Sequence, residues 1–145
     1  MMKKLLLLLL IATSAMADNS DPVSQAVAFN KWYVAQIDKN NFPITDGKVI
    51  DKYVTAATMQ KLRRTQAPDY DGVFYSADFF LKAQDISEDW PGHVTAIAGD
   101  TDPICVNVYV AFGEKQSHIV SDCMVKEDGS WKVQSVTSLQ FTRNL

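Results

Sequence analysis

PICVNVYVAFGEKQSHIVSDCMVKEDGSWKVQSVTSL, residues Pro103–Leu139, decides the fold of this chain and holds both of its cysteines. Three runs of β-branched and apolar residues, ICVNVYVAF, SHIVSDCMVK and SWKVQSVTSL, are separated by the turn sequences Gly113-Glu114-Lys115-Gln116 and Glu127-Asp128-Gly129-Ser130. They read as two consecutive antiparallel hairpins. Asp128-Gly129 suits a two-residue loop with positive φ at both positions, which pairs Glu127 with Ser130, Met124 with Val133 and Asp122 with Ser135. A first hairpin centred on Glu114 sets Cys105 opposite Cys123, close enough for a disulfide.

Those registers sort the strands into two faces. Ile104, Val106, Val108, Val110, Phe112, Val120, Met124, Trp131, Val133 and Leu139 share the apolar one, which is therefore core, while the other is largely solvated. His118, Asp122 and Ser135 fall on the apolar face too, where a carboxylate must be paired or reach water. Two outcomes stay open for them. They line a pocket between sheet and helices, or a β-bulge near Ser121 turns Asp122 to solvent and His118 is exposed beside its turn.

Upstream, Asp21-Pro22 starts a helix whose face carries Val23, Ala26, Val27, Phe29, Tyr33, Val34 and Ile37, and Asn40-Asn41-Phe42-Pro43 ends it. A second helical stretch runs from Val49 to Thr65 with a break near Thr55. Asp69–Trp90 is irregular and rich in both aromatics and acids. Within it Asp78–Gln84 is expected to form about two helical turns capped by Asp78, and Gln84 and Asp85 are either buried supports or pocket residues. Tyr70, Asp71, Phe74, Tyr75 and Asp78 form a candidate contact surface for a protein partner. His93–Ala98 reads as a short first strand. Helices followed by strands indicate an α+β domain with N-terminal helices packed on a curved antiparallel sheet of about four strands.

Residues 1–17 have the pattern of an export signal: Lys3 and Lys4, an apolar run from Leu5 to Ala12, and Ala15-Met16-Ala17 at the cleavage site. Cleavage leaves residues 18–145 as one domain without a membrane anchor, and loss of the two lysines takes the formal net charge from −3 to −5. Such a product suits neither nucleic acid nor an anionic membrane. A periplasmic or secreted destination agrees with a structural disulfide.

DFFLKAQDISEDW at Asp78–Trp90 and CMVKEDGSWKVQSV at Cys123–Val136 resemble a family of small secreted proteobacterial domains of unknown function, some of them lipoproteins. The resemblance implies a cone-shaped, nuclear-transport-factor-like α+β fold in the cell envelope. This sequence lacks the lipid-acceptor cysteine of those lipoproteins. Periplasmic immunity proteins, which block cell-wall hydrolases delivered by competing bacteria, are similar in size, address and organisation.

The chain has no HExxH, no GxSxG, no phosphate loop and no cysteine pair at metal spacing, and no cofactor or metal is expected. The expected function is non-enzymatic binding of a protein in the cell envelope, of the immunity type. The alternatives are a small-ligand pocket and a pocket enzyme using Asp122 and His118.

Overall fold

The computed structural model describes residues 21–72 and 77–139. The expected export signal, residues 1–17, lies outside them. Helix α1, Pro22–Asp38, begins where expected: Asp21 Oδ1 accepts the Ser24 N–H at 2.7 Å and Pro22 occupies the first turn. Ala26, Phe29, Asn30, Tyr33 and Val34 recur at helical spacing, are buried, and set α1 against all four strands of the sheet.

The second helical stretch is two pieces, a 3-10 turn at Val49–Lys52 and helix α2 at Ala56–Thr65, with Thr55 as the α2 N-cap. The break has a tertiary cause. Val133 donates its N–H to Tyr53 O at 2.8 Å and accepts the Thr55 N–H at 3.0 Å, so the chain between them is held against a strand by a bridge at Val54. Thr55 Oγ1 caps Thr58 N–H and donates to Thr58 Oγ1, which in turn donates to Gln134 O at 2.7 Å. Thr55→Ala removes the cap and unlinks that chain of hydroxyls. We expect about 1 kcal/mol lower stability from urea unfolding, with α2 amides exchanging faster than those of α1.

The sheet comprises β1 (Val94–Thr101), β2 (Val106–Phe112), β3 (His118–Glu127) and β4 (Ser130–Leu139), antiparallel and in the order β1-β2-β3-β4. Its inner face and the two helices enclose a core in which Phe29 touches Trp32, Tyr33, Tyr53 and Phe80 at ring-centroid distances of 5.1–6.4 Å.

The turn at Asp128-Gly129 has φ of 52° and 78°, and Glu127 and Met124 face Ser130 and Val133 as expected. Two registers differ from expectation. In the first hairpin the centre lies at Lys115, because Gly113 and Gln116 both adopt positive φ in a longer loop and Asp89 Oδ2 accepts the Glu114 N–H; Cys123 therefore faces Asn107 instead of Cys105. A shift by two leaves every side chain on its expected face. The disulfide still forms, diagonally, with Cα atoms 5.4 Å apart.

In the second hairpin, Gln134 is an extra residue on β4, so Cys123 faces Ser135 and Asp122 faces Val136. The bulge is on β4 and not near Ser121. Asp122 stays inside and Ser135 turns out, while Val133 and Val136 are both buried three residues apart.

Two further differences lie upstream. Asp78–Gln84 is a single closed turn in place of a helix: Asp78 Oδ1 accepts the N–H groups of Phe80 and Leu81, and Lys82, at φ 52°, ends it. β1 runs on to Thr101 past a bulge at Ala96/Ala98 and excludes His93.

Candidate functional site

Asp122 is completely buried on β3 between Val108 of β2 and Val136 of β4. Above it α1 places Asn30, whose Nδ2 donates to Ala26 O at 2.9 Å and to Asp122 Oδ2 at 2.6 Å. Burial pushes the Asp122 carboxyl up to about 7, opposed only by that amide hydrogen bond. Asn30 is a residue that sequence reasoning missed. Its signal was present, since it lies four residues from Ala26 and Val34 on the apolar stripe of α1.

His118 does not join Asp122. Its ring stacks on Trp90 at 4.7 Å, lies 5.8 Å from Phe112, and its Nε2 donates to Leu81 O at 2.5 Å. These contacts fix the Asp78–Trp90 segment to the sheet. Ser135 is exposed and belongs to a shallow depression with Thr58, Glu127 and Gln134. The three polar residues thus occupy three different environments, and His118 and Asp122 do not pair. Gln84 and Asp85 are exposed in the turn, because the inward positions of that segment are taken by Phe80 and Leu81.

An open cleft of about 830 Å³ lies elsewhere, between the C-terminal half of α1, α2 and the end of β4. Ile37, Ile44, Leu62, Phe79 and Val136 supply apolar wall, and Lys61, Lys82 and Asp78 are its charged lining. Asp78 is occupied internally. Its Oδ2 accepts from Tyr33 Oη at 2.6 Å while its Oδ1 caps the turn; burial and the Asp78 charge hold the Tyr33 phenol far above its usual range, so it remains the donor. Desolvation lowers the Lys82 ammonium from its ordinary value, and its Nζ sits 4.2 Å over the Phe79 ring.

Of the expected contact residues, Tyr70 is half-buried and lines this cleft, Asp71 is exposed, and Asp78 faces inward. Phe74 and Tyr75 lie outside the described residues. No cluster of three or more histidine, cysteine or acidic residues fit to hold a metal occurs among the described residues.

No protein-family model matches the sequence, and no curated protein is significantly similar to it. Solved structures similar in fold include the two that follow. One is the native type VI effector-immunity complex Tae3-Tai3 from Ralstonia pickettii, with a TM-score of 0.72 and 25% identity over 85% of this chain and 98% of that one. The other is the selenomethionine form of the same complex, with a TM-score of 0.69 and 25% identity over 85% of this chain and 100% of that one. The helix-then-sheet order that the sequence expressed is thus shared, along nearly the full length of the matched chain, with the immunity protein Tai3.

Proposed function

We propose that this chain is a periplasmic immunity protein, a non-enzymatic domain that binds and neutralises a cell-wall hydrolase delivered by a competing bacterium. The observation that carries this reading is the likeness to Tai3 across 98% of that chain. Three further features support it: the export-signal pattern of residues 1–17, a disulfide that suits an oxidising compartment, and the absorption of His118 and Asp122 into internal packing.

The test pairs residues 18–145 with Tae3, the effector of the matched effector-immunity complex. We expect a complex stable through gel filtration, and peptidoglycan release reduced to background once the chain is in molar excess. Unchanged hydrolysis with no complex would overturn the reading.

A further inference from the structure

The outer edge of β4 is covered along only part of its length. Tyr53–Thr55 bonds to Val133, and Thr58 bonds to Gln134 O. The cover stops at the bulge. Val133 points its N–H and C=O away from β3, so its partner Met124 makes no bond to β4, nor by alternation do Asp122 and Val120. Their partners Val136 and Ser138 therefore direct their own N–H and C=O outward, where among the described residues nothing pairs with them. Bare strand edges are ordinarily blunted, and among the described residues only the half that does not border the cleft is blunted.

Val136 to Ser138 is also one wall of that cleft. The free edge and the apolar walls are continuous, which is the arrangement that strand addition requires: main-chain bonds along the edge and pockets for alternate side chains. Charge narrows the guest. The Asp78 carboxylate, hydrogen-bonded to Tyr33 and two backbone amides, keeps its charge and acts on Lys82, so exposed Lys61 gives the cleft its excess positive charge on a chain whose formal net charge is negative.

We propose that the protein partner is held by strand addition: an extended segment of it pairs with Val136–Ser138, sets apolar side chains into the cleft, and carries an acidic residue opposite Lys61. This rests on the proposed immunity function and names the surface that performs it. Ser138→Pro is the selective probe, because it deletes an outward N–H without deleting a ladder bond to β3, and proline is tolerated at such edge positions. Lys61→Glu probes the charge at an exposed site.

Hydrogen exchange is measured on residues 18–145 alone and with Tae3, and affinities are measured for both variants by calorimetry. Expected are at least tenfold slower exchange at Val136 and Ser138 in the complex and at least tenfold weaker binding by each variant, with melting temperatures near that of the native sequence. A complex whose slowed amides lie elsewhere, or variants that bind normally, overturns the surface and leaves the function standing. Absence of any complex overturns both. A self-dimer that Ser138→Pro makes monomeric assigns the edge to a second copy, and a small molecule retained in the native mass spectrum of both forms assigns the cleft to a ligand; either result also overturns the proposal.

Discussion

Asp122→Asn is expected to stabilise the folded protein by about 4 kcal/mol at pH 8 and to leave it nearly unchanged at pH 4. The geometry around the pair states why. Asn30 Nδ2 is satisfied by Ala26 O and Asp122 Oδ2, but Asn30 Oδ1 and Asp122 Oδ1 are buried acceptors without a donor. A proton on the carboxyl group supplies the one kind of group that is missing. No charge faces it: the neighbours across the sheet are Val108 and Val136, and those along β3 are Val120 and Met124.

The sign follows from which state holds the proton. Unfolded, the group titrates near 3.8; folded, near 7. Between those values the native state binds more protons, so stability falls as pH rises through that window and levels off above it. Asparagine has the same shape, is neutral throughout, and brings its own N–H donors, so the variant loses this slope. Asp21, Asp100 and Asp102, which hydrogen bonds hold below the ordinary carboxylate range, titrate on the acid side in both proteins and cancel in the difference. Guanidinium unfolding at several pH values between 4 and 8 measures it. Parallel curves for the two proteins would refute the assignment.

The same carboxyl shows what a sequence of this kind discloses. Inward orientation of Asp122 was legible because side-chain alternation has period two and the Asp128-Gly129 turn fixes its phase. The even register slip in the first hairpin left that phase untouched. A single extra residue at Gln134 did not, and from there on β4 exchanges its faces, so Ser135 turns outward and Val136 takes the inward place. Nothing in KVQSV marks the bulge locally; its site is set by Tyr53–Thr55 and Thr58 bonding to β4 from some 80 residues earlier. The cleft was illegible for a related reason. Ile37 and Leu62 read as ordinary core, Phe79 lies in the irregular segment and Val136 reaches the cleft only through the bulge, so their incomplete closure into a site is not written in any one stretch. Asp78 gave its chemistry correctly, a cap, but not its length: Tyr33 takes the second oxygen, and Phe80 and Leu81 are drawn into the core after one turn.

Replacing both Cys105 and Cys123 by serine is expected to lower stability by about 3 kcal/mol, the loop-closure entropy returned to the unfolded chain when a cross-link spanning 18 residues is lost. The bond clamps the β1–β2 turn to the middle of β3. Asp102 Oδ1 accepts the N–H groups of Ile104 and Cys105, so the turn has its own local order, and the disulfide adds its attachment to the sheet. Loss of the bond acts through the unfolded state, whereas ionised Asp122 acts through the folded one, so the two effects should add although the residues are neighbours. The serine variant should therefore be least stable at pH 8, and adding Asp122→Asn there should restore about what the missing bond removed. Chemical unfolding of the four proteins at pH 5 and pH 8 closes the cycle. A serine variant as stable as the native chain would remove the disulfide from the folding energetics; failure of Asp122→Asn to rescue it at pH 8 would show that the buried carboxyl and the cross-link stabilise one shared local structure.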